Sequence, residues 1–388
     1  MKVPDMMTTG LEAISFYIPR VYVGLDALAE RQGIDPEKFS KGIGQEKIAL
    51  PGHDEDIVTM AAEAAQLIID KYGADGIDTV LFATESGIDQ SKAAAVYLHR
   101  LLKLSPNCRC VELKQACYSA TAALQMACSY VARKPDRKVL VIASDVARYD
   151  RDSSGEATQG AGAVAMLVSA TPKVAEIGAI SGLFTEDIMD FWRPNNRRTP
   201  LFDGKASTLR YLNALVEAWR DYQSNGGLSF EDFSHFCYHI PFSRMGEKAN
   251  SHLAKTNGVP VDAQKVLPGL IYNRQVGNCY TGALYLSLAS LLDNAEDDLG
   301  GSNVGLFSYG SGATGEFFDA RILPGYRDHL FTQQQRRMLE ERESVSYDNY
   351  AALWEEIDLS KGAPEQARGR FRLAGVEDEK RIYVDRNA

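Results

Sequence analysis

Two short stretches decide how this chain folds: Ala116-Cys117-Tyr118-Ser119-Ala120-Thr121-Ala122 and Asn278-Cys279-Tyr280-Thr281-Gly282-Ala283-Leu284. Each pairs a cysteine with a tyrosine and then runs through small residues into an amphipathic stretch, so each reads as the start of a helix. A β-branched run follows each helix, from Val139 in the first case and from Val304 in the second. After each run comes a glycine-rich turn, Gly155 to Gly162 and Gly310 to Gly315, leading into another apolar segment. Upstream, the apolar run ending at Thr84-Glu85 corresponds in order to the one ending at Tyr238-His239. Four elements recurring in the same order are the signature of an internal duplication.

Working outward, short β-branched runs alternate with longer helical patterns, which predicts βαβ units and a largely parallel, buried sheet. The expected strands are 79–83, 139–143, 162–168, 233–239 and 304–309. The expected helices are 57–72, 92–102, 119–132, 209–225 and 281–292. Together these give an α/β protein of two similar βαβαβ halves packed face to face in an α-β-α-β-α layering, with a pocket between them. The first half is placed at residues 1–170 and the second at 171–325. Beyond about Tyr326 a charged helical stretch (333–357), a polar linker and a short strand pair (371–374 and 381–384) read as an appendage, 326–388, on the second half.

The chain has 388 residues, 45% apolar and 24% charged, with a formal charge of −10. That length supports a large core or two domains. The acidic balance argues against a nucleic-acid surface, although a local basic patch at an anionic substrate stays compatible with it. No run approaches the length a membrane span requires, and the N-terminal stretch lacks the pattern of a signal peptide. A cytoplasmic location is therefore expected. The six cysteines contain no CxxC pair, so neither a disulfide framework nor a zinc site is signalled, and no metal or organic cofactor motif is visible.

Cys117 lies where an extended segment meets a helix. There the positive end of the helix and its free N–H groups favour thiolate and supply donors for an oxyanion. The competing reading is an inert core thiol. Cys279 holds the equivalent place in the second half; the preceding Asn278, with an amide able to bond substrate or histidine, is the preferred functional residue there. Glu85 directly follows a buried strand, where α/β folds place ligands and where partial desolvation raises a carboxyl pKa into the range of a general base. It could equally cap the next helix or face water. His239 also ends a strand and is followed by Pro241; a neutral imidazole there could polarise a carbonyl, although His235 and Cys237 share its strand face. The glycine-rich turns fit neither GxGxxG opening a helix nor GxxxxGK[ST], and read instead as places of close backbone approach near Ser311.

Taken together, several motifs resemble those of the hydroxymethylglutaryl-CoA synthases, bacterial type, within the thiolase-fold condensing enzymes. They are Ala83-Thr84-Glu85-Ser86, Glu112 to Thr121, Ser144-Asp145-Val146-Ala147-Arg148-Tyr149, Asp190-Phe191-Trp192-Arg193-Pro194, His239-Ile240-Pro241-Phe242, Gly277 to Gly282 and Ser308 to Gly312. The resemblance implies a thiolase-like fold, and an acyltransferase of the mevalonate route to isoprenoids that joins acetyl-CoA to acetoacetyl-CoA. It implies Cys117 as acyl carrier, Glu85 as base on the acetyl methyl, and His239 as the group that positions the ketone. It assigns Asp145, Tyr149, Asp190, Asn278 and Ser311 to support of substrate and histidine. The same resemblance implies a homodimer whose small-molecule partners are CoA thioesters. For the CoA phosphates, Arg244 and Lys248, one turn apart, are the candidates, with Arg193 behind them; a solvated helix face is the alternative. Glu247 departs from the basic residue common in bacterial relatives. The neighbouring possibilities are a ketoacyl synthase, since Cys117, His239 and Asn278 also make a Cys-His-Asn set, a thiolase using Cys279, and an acyl-CoA-binding protein without catalysis.

Overall fold

The structure is a computed structural model that describes residues 8–355 and 357–387. Its centre is a nine-stranded sheet ordered Phe233–Tyr238, Asn303–Gly310, Thr314–Ile322, Ala175–Thr185, Gly10–Tyr17, Ala161–Ser169, Lys138–Val146, Ile77–Ala83 and Arg109–Leu113. The sheet is two smaller ones joined at a narrow seam. Gly10–Tyr17 and Ala175–Thr185 pair only through Gly10 with Glu176 and Leu11 with Ala175. On each side of the seam the duplicated order recurs, and the strands ending at Ala83 and Tyr238 each run parallel to a neighbour, but the sheet is not largely parallel as expected: the strands nearer the seam pair antiparallel. Their carboxyl ends are where such sheets place ligands.

Alternation along single strands builds the layers. In Lys138–Val146, Val139, Val141 and Ala143 join the core with the central helices, while Leu140 and Ile142 face an outer core with helix Ile57–Tyr72. In Thr314–Ile322, Phe317 packs on Trp219 and Tyr222 of the outer helix Gly204–Ser224, whereas Glu316 points inward to Tyr118 and Gln125. Between the sheets lie the helices that follow the two cysteines, Ser119–Arg133 and Ala283–Asn294, linked by a hydroxyl bond of 2.7 Å between Thr121 and Tyr285. The second is buried on every side from Ala283 to Leu292 and is correspondingly rich in apolar residues. This is the expected α-β-α-β-α stack.

Local chemistry sets the element ends. Helix Ile57–Tyr72 spans the expected residues because Asp56 caps Val58 and Thr59 while Thr59 bonds back to Asp56. The helix expected from Leu209 starts earlier, at Gly204, where Asp203 accepts from the amides of Lys205 and Ala206. Its first turn is polar and carries no apolar period, so only the capping aspartate marks it.

Two expectations for the C-terminal region are corrected. Residues 333–357 are not one helical stretch: helices Thr332–Glu340 and Tyr347–Trp354 flank strand Glu343–Val345, which pairs with Val21–Gly24. The terminal hairpin Phe371–Glu377 and Lys380–Asp385 packs on the first half, not the second. Phe371, Leu373 and Tyr383 enter the core beneath helix Ile57–Tyr72, and the amide of Phe371 donates to Glu63 at 2.7 Å. The alternating apolar residues of the hairpin reveal an apolar face but not which surface it covers.

Candidate active site

Cys117 stands on a sharp turn. Ala116 adopts a left-handed φ of +44°, and the first helical residue is Ser119, two positions beyond the cysteine. The turn is pressed from the other half by Gly310, where a Cβ would lie 2.5 Å from the carbonyl oxygen of Gln115. Close backbone approach is thus the use of that glycine-rich turn. The matching contact runs the other way, with Gly277, φ +90°, seated against the carbonyl of Gln159.

The Cys117 thiol donates to Oε1 of Glu85 at 2.8 Å. Burial, then the carboxylates of Glu85 and Asp145, push the thiol well above its ordinary pKa. The expected helix-end thiolate is therefore corrected: the cysteine is too far from the helix start, and too close to carboxylates, to rest ionised. Glu85 is itself pushed up to about 8, mainly by burial and then by Asp145.

Asp145 is fully buried and makes six bonds. Its Oδ1 accepts from Thr84 Oγ1, Glu85 N, Ser86 N and Ser86 Oγ at 2.8 to 3.0 Å. Its Oδ2 accepts from Thr281 N and Thr281 Oγ1. It therefore ties the Glu85 loop to the start of the second central helix and does not touch His239. Thr84, Ser86 and Thr281 were not anticipated as site residues; the hydroxyl of Thr281, inside the repeated motif, was the available signal.

Cys117 and His239 line one cavity of about 200 Å³ together with Tyr149, Asn278 and Ser311. Its walls are largely aromatic, with Tyr149 against Phe202 at 5.2 Å and Phe191 against Tyr280 at 5.9 Å between ring centres. Tyr149 was a candidate from the resemblance; Phe191, Phe202 and Tyr280 were not assigned a role from the sequence, because scattered aromatics carry no periodic signal. His239 is buried, its carbonyl accepts from Tyr211 at 2.8 Å, and its Nδ1 has no hydrogen-bond partner among the described residues. Burial holds its pKa down to about 3, so the imidazole is neutral.

Asp190 lies behind this cavity. It accepts from Tyr309 at 2.8 Å, from the amide of Gly312 at 3.0 Å and from Ser207 at 3.2 Å, and so fixes the loop carrying Ser311. Asn278 lines the cavity while its Oδ1 accepts from the amide of Tyr280 at 2.9 Å; Cys279 is buried outside the cavity lining.

The basic candidates divide. Arg244 donates to the carbonyl of Lys41 at 2.8 and 3.1 Å and pairs with Glu247 at 2.9 Å, so its guanidinium is engaged by the protein. Lys248 is exposed, 5.2 Å from the ring of Phe242 at the cavity wall, and makes no ion pair among the described residues. Arg193 donates to the carbonyl oxygen of Glu85 and lines a different cavity. Among the described residues no group of three or more His, Cys, Asp or Glu side chains is disposed to hold a metal, and no helix is long and apolar enough to cross a membrane.

Comparison with known proteins gives a consistent picture. Residues 6–173 match the family described as hydroxymethylglutaryl-coenzyme A synthase N terminal, and residues 258–361 its C-terminal counterpart. The chain is 45% identical to the hydroxymethylglutaryl-CoA synthase of Enterococcus faecalis, covering 97% of this chain and 100% of that protein. It is 34% identical to the polyketide biosynthesis 3-hydroxy-3-methylglutaryl-ACP synthase PksG of Bacillus subtilis, covering 98% and 97%. A crystal structure of an HMG-CoA synthase complexed with CoA superposes with a TM-score of 0.93 at 40% identity, covering 98% of this chain and 100% of that one. MvaS in complex with 3-hydroxy-3-methylglutaryl coenzyme A superposes with a TM-score of 0.91 at 33% identity, covering 97% and 99%.

Proposed function

Since the chain belongs to the hydroxymethylglutaryl-CoA synthase family of acyl-transferring condensing enzymes, we propose that it joins acetyl-CoA, acetoacetyl-CoA and water into 3-hydroxy-3-methylglutaryl-CoA and CoA. The observation that carries this reading is the 2.8 Å bond between Cys117 and Glu85, made beside a cavity that also holds His239.

In this reading Glu85 takes the thiol proton as the sulfur attacks the acetyl carbonyl, and that proton leaves with CoA. Glu85, again ionised, then removes a proton from the methyl of acetyl-Cys117, which the thioester acidifies. The resulting carbanion adds to the ketone of acetoacetyl-CoA. His239, neutral over the whole working range, donates a hydrogen bond to the developing alkoxide, which recovers the proton held by Glu85. Water finally breaks the Cys117 thioester. Asp145 sets the Glu85 loop and Asp190 the Ser311 loop. The cavity volume suits the acyl ends of the substrates, with the remainder of CoA outside and its phosphates near Lys248.

We place the product in isoprenoid precursor supply, the enzyme in the cytoplasm and its assembly as a homodimer. The high identity to the Enterococcus faecalis protein supports CoA, rather than an acyl carrier protein, as the carrier of both acyl groups. No cofactor is required, because the thioester itself provides the acidity. The test is to mix the purified protein with both CoA thioesters, follow loss of acetoacetyl-CoA enolate absorbance and identify the product by mass spectrometry. Formation of hydroxymethylglutaryl-CoA supports the assignment; cleavage of acetoacetyl-CoA with uptake of free CoA would make the protein a thiolase instead.

A further inference from the structure

Four residues that line the aromatic cavity, Tyr149, Ser154, Gly155 and Thr158, belong to one loop, 147–160, between strands Lys138–Val146 and Ala161–Ser169. Cys117 packs against the cluster that Tyr149 forms with Ala147 and Tyr280, so the loop is a wall of the space open to an acyl group on the sulfur. Gly155 backs the ring of Tyr149 so closely that a Cβ there would lie 2.5 Å from it. Apart from one short turn, Glu156–Thr158, the loop has no regular structure, so side chains must hold its shape.

The bonds that do so converge on Tyr350, a fully buried residue of the C-terminal helix Tyr347–Trp354. Its hydroxyl accepts from Gln159 Nε2 at 2.8 Å and donates to Glu156 Oε1 at 2.9 Å. Gln159 Oε1 in turn accepts the Tyr149 amide proton at 2.7 Å. Glu156 Oε2 accepts the amide of Asp152, held at a left-handed φ of +61°, also at 2.7 Å. Gln159 and Glu156 are themselves buried. One hydroxyl, from a region to which the sequence assigns no chemistry, thus fixes the loop at two points, one of them a single bond away from Tyr149.

We propose that Tyr350 is a positioning residue that, through Gln159 and Glu156, holds the Tyr149 wall in place and so restricts the acyl group carried by Cys117 to two carbons. The inference rests on the acyl-carrier role given above to Cys117. In the transfer, the sulfur bonds to the acyl carbon while the CoA sulfur leaves with the thiol proton. A third carbon on that acyl group needs room beside the sulfur, where Tyr149 stands. A close-packed wall held from behind does not yield to an added methylene, and such a fit discriminates by roughly tenfold to two-hundredfold. Without the Tyr350 hydroxyl the loop keeps its apolar contacts but loses the bonds that fix its position, and a site whose support is loosened loses its precision first.

The experiment exposes the full chain to acetyl-CoA or propionyl-CoA, quenches it in acid at increasing times and weighs the peptide that carries Cys117. Tyr350→Phe removes both hydroxyl bonds, Gln159→Met removes the link to Tyr149 by a second route, and Leu353→Ala loosens the packing of the same helix without touching either bond. The parent is expected to acetylate at least about tenfold faster than it propionylates. Tyr350→Phe and Gln159→Met should each cut that preference roughly fivefold by faster propionylation, with acetylation within about twofold of the parent and with no further loss in the double variant. Leu353→Ala should keep the parent's preference. A preference unchanged in both bond-breaking variants, equally relaxed in Leu353→Ala, or absent from the parent would overturn the proposal. Absence of any adduct on Cys117 from either thioester in the parent would instead overturn the acyl-carrier reading beneath it.

Discussion

Asp145 holds Glu85 by the backbone: its Oδ1 accepts the Glu85 amide proton at 2.8 Å, while its Oδ2 grips Thr281 in the other half. The carboxylate that raises the Glu85 pKa is thus also the one that places it.

Asp145→Ala should lower both stability and rate. It strands donors from both halves in a buried site, which corresponds to a loss of about 3–5 kcal/mol in unfolding free energy. Thr281→Val removes one donor and should cost about 1–2 kcal/mol with a smaller fall in kcat. Urea denaturation and steady-state kinetics of the two variants measure this ranking.

The pH dependence follows from two shifts of opposite sign. The base role proposed for Glu85 requires its ionised form, and its pKa is raised to about 8, so kcat/KM should climb as pH rises toward about 8; His239, near 3, adds no limb in the working range. Stability should move the other way. Glu85, and Glu55 and Glu63 at about 7, have folded pKa values above the ordinary 4.5, chiefly because burial disfavours their ionised forms. Their protonated forms support the fold, and that support is lost as pH rises from the ordinary carboxylate range through about 7 to 8. Urea midpoints measured on either side of this window should be lower on the alkaline side.

Tyr118, next to Cys117, donates to the buried Glu316 at 2.7 Å. Tyr118→Phe should reduce stability by about 1–3 kcal/mol, the cost of leaving part of a buried carboxylate unsatisfied. Because the same bond braces the Cys117 turn, kcat should fall while KM for acetoacetyl-CoA changes little.

The two basic candidates should separate by salt dependence. Lys248→Ala is expected to raise KM for CoA thioesters severalfold at low ionic strength, with the difference fading by about 1 M salt, where the Debye length is near 3 Å. Arg244→Ala loosens the Lys41 carbonyl, near the cavity-lining Ile43, and its smaller effect on KM should persist in salt.

Much of the fold was legible because repetition and periodicity survive in a linear chain. The repeated cysteine–tyrosine starts lead into the two central helices, and the apolar runs before Glu85 and His239 are the parallel strands whose ends meet at the site. What was hidden depends on partners far apart in sequence. The six bonds of Asp145 come from two loops almost two hundred residues apart, and the terminal hairpin meets the first half through Glu63, which accepts from the Phe371 amide, and Asp54, which pairs with Arg372. The thiolate expectation for Cys117 failed for the same reason: the local helix start was visible, but the carboxylates beside the sulfur were not.

The most direct test of the account is to expose the protein to radiolabelled acetyl-CoA alone, digest it and locate the acetyl group, with Cys117→Ser and Glu85→Ala in parallel. The account predicts label on Cys117 in the parent, none in Cys117→Ser, and in Glu85→Ala a slowly acetylated cysteine that never condenses with acetoacetyl-CoA. Label on Cys279 in the parent, or condensation by Glu85→Ala at the parent's rate, would contradict it.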